Sequence, residues 1–330
     1  MNFELDTEQQ MLRDSVRRYI EKSYSFETRT ALMKSGGGDH WRTFADGGWL
    51  AVALPEACGG LGGSLIDACL IAHELGRGLV IEPYLGCGVL ATQTLLAAGT
   101  SAQCEALVPD LAMGNRKLAL AYSEAETRGL AVPVRTRAER VAGGYRLHGV
   151  KTLVLGGAEA DGYLVSARFP DTNHVALFLV DAQAPGLERG ILPLHDGTRA
   201  AELLLDGVEV EGNALLGSPE KGLSALRQGL TCGIAVLCAE LIGVMERAIE
   251  LTADYLKVRQ QFGVAIGSFQ ALQHRMADMA AELEVARSML YALLASIEND
   301  DAAARARTVS QAKALIGRAA RYVSSQGIQL

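Results

Sequence analysis

The residues of this chain best placed to do chemistry lie in Arg259-Gln260-Gln261-Phe262-Gly263, followed by Ile266-Gly267-Ser268-Phe269-Gln270-Ala271-Leu272-Gln273. An arginine and two amides sit beside a glycine-broken turn, and an apolar-striped helix starts directly after it. Arginine offers a rigid fork of donors to anionic oxygens, so the grouping suits a phosphate-bearing ligand. The same spacing also describes a helix–turn–helix whose polar residues face water. Spacing alone leaves both readings open.

Two other stretches invite a chemical reading and do not sustain it. Pro55-Glu56-Ala57-Cys58-Gly59-Gly60-Leu61-Gly62-Gly63-Ser64 places glycines before a helix start, as phosphate loops do. It lacks a Gly-Lys-Ser/Thr ending and a preceding strand, so a turn capped by Ser64 is the simpler account. His73-Glu74-Leu75-Gly76 has no second histidine four residues on, so it is no metal motif. The six cysteines form no C-x-x-C pair. They read as small buried residues in a reducing compartment, and no metal is expected.

Three regions of different texture must position these residues. The first, 1–115, reads as helical. Asp6 is a candidate N-cap, Met11, Leu12, Val16 and Tyr19 follow at helical spacing, and a further helix is expected over 64–76. The second, 116–217, holds short candidate strands: 146–150, 162–166, 175–180 and 201–205. Gly143-Gly144, Pro170-Asp171 and Pro185-Gly186 punctuate them. Their even spacing suggests a small β-barrel or sandwich. In the third, 218–330, Phe269, Leu272, Met276, Met279, Leu283, Ala286, Leu290, Leu293 and Ile297 recur three and four apart, as in the seam of an antiparallel bundle. The fold class is therefore α+β.

Composition narrows the function classes. The chain has 330 residues, 49% of them apolar and only 5% aromatic, which suits helices packed closely on small side chains. A net charge of −7 without a long basic run argues against a nucleic-acid partner. The first residues carry no basic and apolar leader, and no run of about 18 apolar residues suggests a membrane span. The cytoplasm is the expected compartment.

The opening run resembles the acyl-CoA dehydrogenase signature R-x-Q-F-G-x-x-I-x-x-F-Q-x-x-Q, continued by Arg275-Met276-Ala277-Asp278-Met279. Helical, then β, then helical is also that family's domain order, and the Pro55–Ser64 loop is similar to its P-E-x-x-G-G-x-G-G-S loop. The resemblance implies FAD as cofactor and an acyl-CoA substrate desaturated between Cα and Cβ. It also implies an electron-transfer flavoprotein as reoxidant. On this basis Arg259, Gln261, Phe262, Phe269 and Gln270 hold the adenosine–pyrophosphate half of FAD across a subunit interface. In the ending Ser324-Ser325-Gln326-Gly327-Ile328-Gln329-Leu330, Gln329-Leu330 resembles the first two residues of the family's Q-x-x-G-G turn, which makes Gln329 a flavin contact.

Three departures from the family pattern bear on catalysis. After Gly149-Val150-Lys151-Thr152, relatives place W-I-T or W-I-S against the flavin ring, whereas this chain has Leu153-Val154-Leu155. The T-E-P-x-A-G-S-D flavin loop is reduced to Tyr122-Ser123-Glu124-Ala125-Glu126-Thr127-Arg128. A leucine neither stacks like an indole nor donates a hydrogen bond, so the ring pocket reads as eroded. Gly233 and Ile234 stand where some relatives carry the catalytic glutamate and an arginine, and Glu240 reads as a solvated or interhelical carboxylate. The usual catalytic carboxylate of relatives follows the Q-x-x-G-G turn, so no catalytic residue is assigned. The chain most resembles the small-subunit type of pimeloyl-CoA dehydrogenase, also found in steroid side-chain degradation. The expectation is a small subunit of a heteromeric enzyme with a larger dehydrogenase subunit as partner. A self-sufficient homo-oligomer and a flavin-free structural subunit are the alternatives.

Overall fold

A computed structural model describes residues 4–38, 40–127, 129–132, 135–172, 174–297 and 301–330. The chain forms two compact units, one of Met1–Arg29, Cys69–Val80 and Ile234–Leu330, the other of Thr30–Ala68 and Ile81–Gly233. Six α-helices come first: α1 (Thr7–Ser23), α2 (Phe26–Ser35), α3 (His40–Asp46), α4 (Leu65–Arg77), α5 (Thr92–Ala98) and α6 (Ser101–Ala112). Both helix starts with a full capping box obey their sequence. Asp6 accepts from the Gln9 amide at 2.8 Å while Gln9 Oε1 accepts from the Asp6 N–H. Thr100 and Gln103 do the same for α6.

The middle region is one seven-stranded sheet. Its strands are β1 (Leu118–Ala121), β2 (Arg137–Val141), β3 (Gly144–Leu155), β4 (Gly162–Arg168), β5 (Val175–Asp181), β6 (Leu187–Pro193) and β7 (Arg199–Glu211). The order is β1-β4-β2-β3-β7-β6, with β5 antiparallel on β4; β1 and β2 both meet β4 parallel. The expected barrel or sandwich thus takes the form of a single branched sheet. β4 is buried along nearly its whole length, with Tyr163, Leu164 and Val165 in the core.

The C-terminal region holds α7 (Pro219–Val258), the short strands β8 (Gln260–Gln261) and β9 (Val264–Ala265), α8 (Gln270–Ile297) and α9 (Ala302–Gln329). The heptad-like seam of α8 is buried at Met279, Leu283, Ala286, Leu290 and Leu293, where it meets α9 through Val309, Ala312, Ile316, Ala319 and Val323. Leu272, Met276 and Ile297 are only half-buried and Phe269 is exposed. Part of α7 is long and apolar enough to cross a membrane, although its apolar stretch is broken by polar residues. More than half of that window is buried inside the fold, which marks a core helix. Five cysteines are buried and Cys58 is half-buried, all free. No group of three metal-ligating residues occurs among the described residues.

Charge fixes the helical unit internally. Glu74, almost wholly buried on α4, accepts two bonds from Arg17 at 2.7 and 3.0 Å and one from His73 at 3.1 Å. His73 Nε2 reaches Glu246 of α7 at 3.0 Å, and Arg77 bonds Glu246 and Glu250. Burial would lower the His73 pKa, but the two carboxylates outweigh it and raise it.

Glycines set the spacing of helices in the other unit. A Cβ on Gly229 would lie 1.9 Å from Thr94 Oγ1 and about 3 Å from the Thr94 backbone, and one on Gly233 would lie 2.2 Å from Leu90 Cδ2. In an open helix Gly→Ala gains up to ~1 kcal/mol. Here the overlap decides the sign. We expect Gly229→Ala to destabilise the protein by about 1–3 kcal/mol in urea unfolding, with Thr94→Ala partly rescuing it. An unchanged or raised midpoint would show that the two helices do not meet this closely.

Candidate functional site

The signature motif folds as a tight hairpin at the end of α7. The Arg259 N–H still bonds Tyr255 O, closing the helix, and Arg259 O accepts from Ile266 at 2.9 Å. Gln260 pairs Ala265 and Gln261 pairs Val264. The two linking residues, Phe262 and Gly263, take φ of 54° and 80°, the left-handed pair of a type I′ turn. Glycine accepts that backbone freely, whereas phenylalanine there is strained by roughly 1–2 kcal/mol. Phe262 stands 92% exposed at the tip with its ring edge-on to Phe269, centroids 6.2 Å apart. Nothing lies within 4 Å of where a Gly263 Cβ would be.

The structure thus brings five of the six expected site residues together. Arg259, Gln261, Phe262, Phe269 and Gln270 occupy the hairpin and the start of α8, all exposed. Gln329 lies on another element, the last residue of α9, and is also exposed. The preceding glycine, Gly327, sits against Thr252 of α7. A guanidinium, several amides and an aromatic edge are a donor set that fits a pyrophosphate and an adenine. They offer one open surface that a second wall would have to complete.

The ring-side residues have a different character. β3 carries a bulge opposite β7: Lys151 pairs Leu203 and Val154 pairs Ala201, so Thr152 and Leu153 face a single partner residue. Leu153 has φ 51° and is half-exposed, and Leu155 is half-buried with an aliphatic surface. No π face stands at 153 and no donor side chain at 155, so these two positions do not fit a flavin ring. Glu240 is half-buried on the stretch of α7 that Gly76 of α4 touches. Gly233, buried against Leu90, can do no acid–base work.

Sequence reading missed what holds this ring side in place. Lys151 is fully buried, and its Nζ donates to Glu124 Oε1 at 2.8 Å and Ser166 Oγ at 3.1 Å. Glu124 also accepts from the N–H groups of Arg135 and Thr136. The Thr152 N–H bonds Ser123 O at 2.9 Å, so the loop after β1 is tied twice to the β3 bulge. Both charges were in view, Glu124 within the reduced flavin loop and Lys151 within the G-x-K turn. Their pairing was the missing inference. Arg128, the last residue of that loop as read from sequence, lies outside the described residues.

Burial would raise the Glu124 pKa, but the charge and hydrogen bond of Lys151 with the two backbone donors hold it at about 2. Burial brings Lys151 down to about 8 despite the opposing pull of Glu124. For Glu124 the folded value lies below the unfolded one. Its stabilisation is therefore full above about pH 4.5 and is lost as pH falls toward 2. Lys151→Met leaves a buried carboxylate without its cation and is expected to cost about 3–5 kcal/mol. Thermal melts check this, and adding Glu124→Leu should recover much of the loss. A Lys151→Met protein as stable as the parent would show that the pair is not the anchor.

Comparison with known proteins is consistent with this geometry. The family model described as acyl-CoA dehydrogenase, N-terminal domain, matches residues 6–115, and the one for the C-terminal domain matches 220–330. A probable acyl-CoA dehydrogenase of Bacillus subtilis, YngJ, is 30% identical over 304 residues, covering 88% of this chain and 79% of that protein. The ChsE4-ChsE5 complex of Mycobacterium tuberculosis contains a chain that superposes with TM-score 0.90 at 27% identity, over 100% of this chain and 87% of that one. The Tcur3481-Tcur3483 steroid ACAD gives TM-score 0.86 at 31% identity, over 97% and 85%. The helical–β–helical architecture, the hairpin signature and these matches make this chain a member of the FAD-dependent acyl-CoA dehydrogenase family, oxidoreductases acting on CH–CH bonds.

Proposed function

We propose that this chain is the smaller subunit of a heteromeric acyl-CoA dehydrogenase, lending its hairpin to an FAD seated mainly in a larger partner chain. One observation carries the reading. Within a single chain the adenosine-side donors Arg259, Gln261 and Gln270 are present and solvent-facing, while the ring-side positions 153 and 155 are aliphatic. The likeness to the ChsE4-ChsE5 complex, an assembly of two differently named chains, supports it.

In this reading Arg259 grips the pyrophosphate through its fork of N–H groups, and Gln261 and Gln270 donate to neighbouring oxygens. Phe262 and Phe269 would provide an apolar edge for the adenine, and Gln329 would serve as a flavin contact. FAD, when bound, supplies the hydride acceptor. This chain binds and orients the nucleotide end, and the partner provides the aromatic wall and the base that removes the α-proton. The substrate is a fatty or steroid side-chain acyl-CoA, and an electron-transfer flavoprotein takes the electrons. We assign three successive domains, 1–115, 116–217 and 218–330, and place the enzyme in the cytoplasm.

Co-expression with candidate large subunits tests this. The chain alone should purify with little FAD, and the complex should carry FAD and oxidise an acyl-CoA. Arg259→Gln should lower the FAD content of the complex, the loss of charge-assisted bonds corresponding to about tenfold or more in affinity. Stoichiometric FAD and dehydrogenase activity in the isolated chain would instead establish a self-sufficient enzyme. Absence of FAD with every candidate partner would establish a structural subunit.

A further inference from the structure

The helical unit contains a groove that the flavin reading does not use. Arg17 of α1, Tyr24 just after it, Arg29 of α2, Leu79 after α4, and Arg247 and Leu251 of α7 line a volume of about 630 Å³. That is within the ~300–1,000 Å³ of small-molecule sites.

The turn that forms one wall is built against local preference. α4 ends at Arg77, the Leu79 N–H bonds Gly76 O at 3.1 Å, and the Val80 N–H bonds Leu75 O at 3.1 Å. Such a helix ending runs through one left-handed residue, and glycine normally fills that slot. Gly78 lies one position too early. Leu79 takes the left-handed backbone instead, with φ 50° and 46% of its surface exposed. Backbone strain retained beside a cavity is a mark of a functional wall. Arg29 Nε donates to Leu79 O at 2.7 Å and holds the turn there. Leu251, also exposed, adds a second apolar surface to the groove.

The polar lining is mostly cationic and pre-oriented. Four arginines and two glutamates, Glu21 and Glu74, contribute to it. Glu74 is already engaged by Arg17, His73 and Arg77, and Arg247 is steadied by Glu250 at 3.1 Å. Arg17 is clamped through Nε and Nη2 on Glu74, and Arg29 through Nε on Leu79 O. Guanidinium groups fixed in this way are preorganised for a planar or tetrahedral anion.

We propose that this groove binds a small anionic amphiphile, a carboxylate or phosphate head on a short apolar chain. The head meets the arginines, and the chain lies against Tyr24, Leu79 and Leu251. The site takes no part in holding FAD, so it stands or falls apart from the heteromeric reading.

Calorimetry on the full chain tests it, using octanoate and octyl phosphate, with octanol and inorganic phosphate as half-ligands. At least one of the two amphiphiles should saturate at one per chain, and the tighter one names the head group. Neither half-ligand should match it. Arg247→Gln should weaken binding about tenfold, the effect of one charge-assisted hydrogen bond. Leu79→Gly relieves the strained backbone, so it should weaken binding several-fold while the melting temperature holds or rises. The proposal is overturned if neither amphiphile saturates, if octanol binds as well, or if both variants bind like the parent. It is also overturned if the groove is occupied only by a protein partner.

Discussion

An ammonium group with no access to water must keep a carboxylate beside it, and Lys151 keeps Glu124. That requirement ties the loop after β1 to the bulge of β3, and the backbone bond from Thr152 to Ser123 reinforces it. The bulge in turn fixes where Leu153 and Leu155 can stand. The backbone around positions 153 and 155 is thus tied in two places, although those positions carry leucines that would not serve a flavin ring.

The adenosine side follows the opposite logic. On the proposed reading its residues are present in kind, and on the hairpin and the start of α8 they are all exposed to water. Exposed hydrogen bonds to a ligand are weak because water competes for every donor, and they strengthen only when a second surface removes that water. A surface of this type gains affinity by assembly. On the heteromeric reading proposed above, the hairpin calls on a partner for closure, and positions 153 and 155 call on one for chemistry.

Much of this was legible in the sequence, and the remainder was hidden for physical reasons. Helical and strand periodicities are local, so the order of helices, sheet and helices could be read directly, as could the Asp6 cap. The hairpin register could not, because a left-handed Phe262 has no local sequence signal. The Lys151–Glu124 pair escaped because its members lie 27 residues apart and each belonged to a motif already read for another purpose. The close approach of Gly229 to Thr94 and the strain at Leu79 are tertiary facts with no sequence periodicity. The seam of α8 holds at Met279, Leu283, Ala286, Leu290 and Leu293, whereas Leu272, Met276 and Ile297 are half-buried and Phe269, just before the helix, is exposed, because burial depends on a neighbour and not on spacing.

The central claim is that this chain by itself recognises only the nucleotide end of FAD. Comparing the affinities of the isolated chain for FAD and for ADP by equilibrium titration addresses it most directly. If the ring contributes nothing, the two dissociation constants should agree within about threefold, or under ~1 kcal/mol. An FAD affinity a hundredfold or more above that of ADP, roughly 2.7 kcal/mol of ring recognition, would contradict it.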